Sequence, residues 1–176
     1  MKSTDTQPNC APPVNSGNLK VTTPSDREIV MTREFDAPRR LVWEAYTRPE
    51  LLKRWLGVFG GWTLEVCEVD LRPGGTIRYE WHNQKTGQKM GMTGTFREVV
   101  VPERIVSTEK FDDPWYEGEA VGTVTFTEVG GKTTLSMAVR YDSKETRDGV
   151  LKSGMEQGVA ASFDVLAEIL AGKAQR

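Results

Sequence analysis

Hydrophobic and polar residues alternate along the middle of the chain, which is the pattern of half-buried β-strands. In the clearest run, Ile77, Tyr79 and Trp81 share one face, and Arg78 and Glu80 share the other. Similar runs predict six further strands, at 29–35, 62–69, 90–96, 105–111, 120–128 and 133–141. Because short turn sequences separate most of these runs, we expect an antiparallel meander.

Helical patterns flank this β region. Residues 36–38 combine a capping Asp with a Pro suited to a first turn, and they predict a short helix with a second one over 50–55. Near the end of the chain, apolar residues recur at helical period after a capping sequence that begins at Asp142. This pattern predicts one helix of roughly 25 residues, about 38 Å long at 1.5 Å per residue.

The chain divides at about residue 25. Residues 1–25 are rich in Pro, Thr, Ser and Asn, and such a segment cannot bury enough apolar area to offset its ordering entropy. We therefore predict a disordered tail over 1–25 and a single domain over 26–172. The N-terminus has no apolar segment typical of a secretory signal, so a cytoplasmic location is expected.

Composition excludes several classes of protein. A chain of 176 residues with 38% hydrophobic and 27% charged residues is typical of one globular domain. A net charge of −2 argues against a nucleic-acid partner, and no apolar run is long enough to insert into a membrane. Two cysteines and one histidine do not make an ordinary zinc site, and no cofactor motif is visible, so we expect neither metal nor cofactor.

A long amphipathic helix must bury its apolar face, and the curved sheet is the only large partner for it. Several stretches resemble one family: 33–43 (REFDAPRRLVW), 47–55 (TRPELLKRW), 70–75 (DLRPGG), 94–96 (GTF) with 102–106 (PERIV), and Gly154, Met155, Gly158 and Leu166. Together they resemble the Hsp90-ATPase-activator-homologue (AHSA1-like) branch of the START/Bet v 1-like (SRPBCC) superfamily. The resemblance covers about residues 27–171.

The resemblance implies an α+β helix-grip fold, in which a seven-stranded antiparallel sheet surrounds the C-terminal helix and a cavity. Members of the superfamily commonly hold a lipid, sterol or polyketide there, and some cyclise or dehydrate polyketides. One eukaryotic group stimulates Hsp90, but it carries a separate N-terminal domain that this chain does not resemble. A chaperone partner is therefore unsupported by the sequence, and the state is expected to be a monomer or homodimer.

Strand parity and helix spacing predict which residues contact a hydrophobic small molecule in that cavity. No catalytic residue is assigned. The predicted ligand-binding residues are Tyr79, Trp81, Met92, Phe96, Glu109, Phe111, Trp115, Phe126, Met137, Met155, Gly158 and Ser162. The alternative is that the same residues fill a solid core.

Two features of this set have two interpretations each. Parity places Glu109 inward near Arg33, either as an acid/base or ligand-anchoring pair or as a structural ion pair. Gly158 lies inside the predicted helix, where glycine costs about 1 kcal/mol relative to alanine. It either permits close packing or opens the cavity.

Three functions remain open from the sequence. The first is binding of a hydrophobic or aromatic small molecule. The second is an enzyme of the polyketide cyclase/dehydratase kind, which requires an inward cluster of Arg, Glu and His. The third is a protein-interaction module such as a co-chaperone, which requires a small or closed cavity and an exposed apolar patch.

Overall fold

The computed structural model describes residues 14–16, 18–114 and 116–172. The elements follow one another as β1 (Val14–Ser16), β2 (Leu19–Thr22), β3 (Glu28–Phe35), α1 (Arg39–Thr47), α2 (Pro49–Trp55), β4 (Trp62–Val69), β5 (Thr76–Asn83), β6 (Lys89–Val100), β7 (Arg104–Phe111), β8 (Ala120–Val129), β9 (Lys132–Arg140), α3 (Lys144–Lys152) and α4 (Met155–Leu170).

The nine strands in this part of the chain form one antiparallel sheet, in the order β1-β2-β3-β9-β8-β7-β6-β5-β4. Strand β3 pairs with β9, with Met31 opposite Met137, so the beginning and the end of the domain lie side by side. The strands β3–β9 are the seven predicted ones, and the α+β helix-grip fold is confirmed. Two register shifts, near Leu64 and near Phe96, interrupt the ladders, and such bulges bend strands locally.

The N-terminal boundary differs from the prediction. Residues 1–13 and 17 lie outside the described residues, but Leu19–Thr22 forms strand β2 and pairs with β3. Leu19 and Val21 are buried in the core. Their apolar burial stabilises this strand, although the composition of residues 1–25 as a whole is polar. The predicted disordered tail is therefore wrong for this stretch, and the sheet gains strands beyond the predicted seven.

The C-terminal helix also differs, because it is broken in two. Gly154 adopts a φ of 78°, the left-handed conformation that favours glycine, and separates α3 from α4. Ser143, not Asp142, caps α3 by accepting a hydrogen bond from the Thr146 amide. The helical period continued through the break, so periodicity alone did not reveal it.

The start of α1 is held from another element. Pro38 occupies the N-cap, and Asp36 makes no capping hydrogen bond there. Instead the Arg39 amide donates to a carboxylate oxygen of Glu128 on β8, at 2.9 Å. This bond provides the acceptor that a helix N-terminus requires and ties α1 to the sheet.

Below α4 the core is aromatic and closely packed. The Phe163 ring lies 5.6 Å from Phe35 and 5.9 Å from Trp55, centroid to centroid. Trp55 also donates its indole N–H to the Ala45 carbonyl at 2.9 Å. Trp43 and Trp55 are both buried in the core.

None of the helices in the described ranges is long and apolar enough to cross a membrane. Nor do the residues of these ranges bring three or more His, Cys, Asp or Glu side chains together as a metal site.

Candidate functional site

A cavity of about 70 Å³ lies between the inner face of the sheet and the C-terminal end of α1. Its walls are mainly apolar and come from α1 and from strands β4–β9. They are formed by Tyr46, Thr47, Val69, Leu71, Ile77, Tyr79, Met92, Phe96, Ile105, Ser107, Glu109, Gly122, Thr123, Val124, Met137, Ala138 and Val139. No residue of α3 or α4 is among these lining residues, so the cavity does not lie against the C-terminal helix as predicted.

The turn between β4 and β5 fixes one wall of the cavity. The Gly74 amide donates to the Phe96 carbonyl at 2.8 Å, and the Phe96 amide donates to the Gly75 carbonyl at 2.9 Å. A Cβ on Gly75 would lie 1.9 Å from the Asp70 carbonyl oxygen, so only glycine fits there. The double glycine of this turn therefore holds Phe96 in place.

Glu109 on β7 is the one carboxylate among the residues that line the cavity. Within the described part of the chain, its side chain has neither a hydrogen-bond donor nor a cationic partner. Gly122, on the neighbouring strand β8, makes room for it, because a Cβ there would lie 3.3 Å from Glu109 Oε1. Glu109 is partly exposed, so within the described part of the chain its carboxyl is left to water or to a bound ligand.

Burial raises the pKa of the Glu109 carboxyl above its ordinary range, because its charged form loses hydration. Four tyrosines lie within electrostatic range of it. Burial, and then the nearby Glu109 charge, raise the pKa of Tyr46, Tyr116 and Tyr141; for Tyr79, burial is again the largest cause and Glu109 a smaller one. Burial thus favours the neutral form of Glu109, and the four tyrosines stay protonated near neutral pH.

The cavity is small. Pockets that hold drug-sized ligands enclose roughly 300–1,000 Å³, whereas a cavity of roughly 150 Å³ takes benzene. A volume of about 70 Å³ is less than half of the latter. A short aliphatic group fits in the space as it stands, and a larger ligand requires its walls to move.

Five of the residues predicted to contact ligand do line this cavity, namely Tyr79, Met92, Phe96, Glu109 and Met137. Their shared orientation follows from strand parity, which placed them on the inner face. Whether they contact a ligand stays a prediction.

Three predicted residues on the strands lie elsewhere in the core. Trp81 donates its indole N–H to the Leu56 carbonyl at 3.0 Å and so joins β5 to the end of α2. Phe126 packs against Trp43, with ring centroids 5.2 Å apart. Phe111 lies at the end of β7, half-buried against the core. Correct parity put these side chains inside, but the cavity occupies only part of the inner face.

The predicted residues of α4 contact a loop rather than the cavity. Ser162 accepts a hydrogen bond from the Gly57 amide at 3.1 Å and donates to the Gly158 carbonyl at 2.9 Å. A Cβ on Gly158 would lie 2.9 Å from Phe59 Cζ, which supports the close-packing interpretation of this glycine. Met155 begins α4 and is half-buried against the core. The predicted Trp115 lies outside the described residues.

The prediction that Arg33 and Glu109 form a pair is wrong. Arg33 is buried, but its Nη1 donates to Asp164 on α4 at 2.7 Å, and its guanidinium lies 5.4 Å from the Phe35 ring centroid. The one histidine, His82, contacts Glu65 with its Nδ1 at 3.0 Å, away from the cavity. Arg33 and His82 therefore have carboxylate partners of their own, and neither contacts Glu109 in the cavity.

Tyr46 and Gly122 are two lining residues outside the predicted ligand-binding set. Tyr46 lines the cavity from α1 and donates its hydroxyl to Met137 Sδ at 3.3 Å. Gly122 receives the Glu109 carboxylate. A glycine inside a run of strand residues signals close approach of another group, so Gly122 was detectable from the sequence, whereas the placement of Tyr46 depends on how α1 packs.

A second concavity, an open groove of about 410 Å³, lies at the loop after β7. It is lined by Lys110, Pro114, Tyr116, Glu117 and Gly118. Tyr116 also lies within electrostatic range of Glu109. The loop therefore lies close to the buried carboxyl.

The sheet, the helices on its inner face and the internal cavity define a helix-grip protein. A family model described as activator of Hsp90 ATPase homolog 1-like protein matches residues 36–171. The chain belongs to this AHSA1 family. Among curated proteins no match to the chain is found.

Solved structures agree with this assignment. A protein from Rhodobacter sphaeroides is 31% identical, with a TM-score of 0.83, and the match covers 89% of this chain and 99% of that one. A protein from Chromobacterium violaceum is 28% identical, with a TM-score of 0.73 and coverage of 83% and 98%. An AHSA1-like protein from Aeromonas hydrophila, 21% identical with a TM-score of 0.63 and coverage of 84% and 96%, shares the fold. This fold is consistent with ligand-binding and with co-chaperone-like modules.

Proposed function

We propose that this protein binds a small molecule in the cavity beneath α1. The observation that carries the proposal is the Glu109 carboxyl, which faces an apolar cavity without a partner among the described residues. Burying a polar group without a hydrogen bond is costly, and a native protein that retains such a group commonly uses it. A bound molecule would remove that cost.

Binding fits the site better than catalysis does. A cyclase or dehydratase of the kind considered above requires an inward cluster of Arg, Glu and His. Arg33 is engaged by Asp164 and His82 by Glu65, so neither joins Glu109 in the cavity. One carboxyl in an apolar space is suited to orienting a ligand, and apolar pockets with few polar groups are typical small-molecule sites.

The test begins with native mass spectrometry of the purified protein, to detect a molecule that copurifies with it. Backbone amide NMR is then recorded during titration with 1-butanol, a neutral probe about as bulky as benzene, whose binding requires the cavity walls to move. We expect saturable shifts confined to α1, β7 and β8. Absence of a copurified mass together with no saturable shift at these elements would overturn the proposal.

A matched pair of variants locates the site. Ser107 lines the cavity, so Ser107→Leu should fill it and abolish the butanol shifts. Thr127 is exposed on β8, and Thr127→Leu adds the same side chain outside the cavity. Retained binding in Ser107→Leu, or equal loss in both variants, would contradict binding in this cavity.

A second candidate function is a protein-interaction module, and the small cavity volume favours it. Val101, in the turn that follows β6, and Val129, the last residue of β8, are exposed large apolar residues. The experiment is to measure the ATPase rate of purified Hsp90 with increasing amounts of this protein and of a Val101→Asp/Val129→Asp variant. Stimulation by the unaltered protein alone would favour the module, and an unchanged rate would exclude Hsp90 activation.

A further inference from the structure

The Glu109 cavity also indicates what kind of molecule it takes. Among the described lining residues no side chain carries a positive charge, and the single carboxylic acid is Glu109. The other polar groups are neutral hydroxyls, and that of Tyr46 is already donated to Met137 Sδ. The site therefore offers acceptors and a negative charge.

The surroundings of the carboxyl leave space for a group to approach it. Gly122 has no side chain where a Cβ would touch Glu109 Oε1, and Glu109 itself is not drawn aside by any donor in the described chain. The rings of Tyr46 and Tyr79 form part of the same walls. Aromatic faces attract cations, and a desolvated carboxylate gains most from a charged donor.

We propose that the ligand of this cavity is a short aliphatic or similarly small primary ammonium compound, with its nitrogen on Glu109 and its apolar part among the cavity walls. The inference rests on the proposed small-molecule function and names the class of ligand. A neutral alcohol of the same shape satisfies the volume but leaves the charge unpaired. A carboxylate of the same shape meets repulsion from Glu109.

The test compares the binding of butylammonium, 1-butanol and butanoate to the full chain. Binding is followed by amide NMR at the alkaline end of the range in which the protein stays folded, because a raised pKa means that Glu109 ionises at higher pH than an ordinary Glu. We expect butylammonium to bind at least about tenfold more tightly than 1-butanol, a difference of about 1.4 kcal/mol. Glu109→Gln, which keeps the shape and removes the charge, should abolish that preference, so that the variant binds butylammonium no more tightly than 1-butanol.

The pH dependence gives a second, independent readout. Butylammonium favours the ionised carboxylate, so in a titration from about pH 4 to pH 8 its affinity should rise as Glu109 loses its proton. The groups that face Glu109 are Tyr46 from α1, Tyr79 from β5, Tyr116 from the loop after β7 and Tyr141 after β9, and all four stay neutral in this range. The carbon-13 shift of the Glu109 carboxyl, followed by NMR, should report a lower pKa when butylammonium is bound. This measurement needs no variant.

Each other result overturns the inference in a recognisable way. Equal binding of amine and alcohol, unchanged by Glu109→Gln, would retain a small-molecule site but exclude selection for ammonium. Tighter binding of butanoate, or amine affinity that falls as pH rises, would show that Glu109 acts as a neutral donor. If none of the three probes shifts the cavity residues, both the proposed function and the ammonium inference fail.

Discussion

Two ionisable side chains on the inner face of the sheet, the buried Arg33 and the partly buried Glu109, lie in contrasting surroundings. Arg33, below α4, pairs with the exposed Asp164 and lies over the Phe35 ring, although its Nε is buried without a partner in the described residues. Glu109, below α1, faces a cavity and is paired with nothing in the same part of the chain. The region around Arg33 is packed with aromatic rings, whereas the region around Glu109 retains a void.

This difference separates two tasks within one core. Close packing below α4 maximises dispersion contacts and apolar burial, which stabilise the fold. The void below α1 forfeits such contacts and keeps an uncompensated carboxyl, so it lowers stability. A fold that concentrates its packing in one half can maintain a binding space in the other, and stability measurements on the two halves should therefore differ.

The largest expected effect is on packing. Phe163→Ala should reduce the free energy of unfolding by roughly 3–5 kcal/mol, the usual loss for a buried Phe, because Phe163 is 1% exposed between Phe35 and Trp55. Phe96→Ala is the matched change in the cavity wall and should cost less, since one side of that ring already faces empty space. Urea unfolding of both variants measures this. An equal or larger loss for Phe96→Ala would show that the two regions are packed alike.

Removing the partner of Arg33 should have the next largest effect. Asp164→Ala leaves a buried guanidinium without its anion, a change that costs about 3–5 kcal/mol in a fully buried pair. Asp164 is 68% exposed, so solvent screening reduces the expected loss to about 1–2 kcal/mol. Urea unfolding of Asp164→Ala and of Asp164→Asn, which keeps an acceptor, checks the prediction. No loss of stability in either variant would mean that water can replace Asp164 as the hydrogen-bond partner of the Arg33 guanidinium.

Glu109→Gln should change stability in the opposite direction. The raised pKa of Glu109 means that the folded protein retains its proton more strongly than the unfolded chain does, so folded stability falls as pH rises above about 4.3. Gln carries no proton to lose, so the variant should gain stability relative to the unaltered protein across that interval. The gain should level off above the folded pKa. Since one pKa unit corresponds to about 1.4 kcal/mol, urea unfolding from about pH 4 to pH 8 measures the displacement.

A stability difference between the two proteins that is constant with pH would contradict the raised pKa. The control is Glu128→Gln in the β8 strand end, where an exposed carboxylate caps α1. That variant should lose a little stability, because it weakens a charge-assisted cap.

Sequence reasoning succeeded where one local pattern governs the outcome. Strand parity put Tyr79, Phe96 and Glu109 on the inner face, and the short turn sequences between the runs predicted the antiparallel meander. Prediction from sequence failed where the outcome depends on contacts between residues far apart in the chain. The pairing of Arg33 with Asp164 joins residues 131 positions apart, and the position of the void depends on how α1 and α4 share the sheet. Periodicity also carried across the helix break at Gly154, since a helical repeat does not record a reversal of φ.

The smallest expected effect concerns Gly158 and tests where the functional region ends. Alanine is favoured over glycine inside a helix by about 1 kcal/mol. The added Cβ would meet only the ring edge of Phe59, which is 41% exposed and can turn aside. Gly158→Ala should therefore leave stability unchanged or raise it by up to about 1 kcal/mol.

The same variant should bind 1-butanol as the unaltered protein does, because α4 contributes no lining residue to the cavity. Gly122→Ala is the matched glycine change on the other side of the core, and its Cβ meets the Glu109 carboxylate. Urea unfolding and amide NMR titration of both variants decide the point. Reduced butanol binding in Gly158→Ala would show that the functional space extends to α4, and that the packed half of the core also takes part in binding.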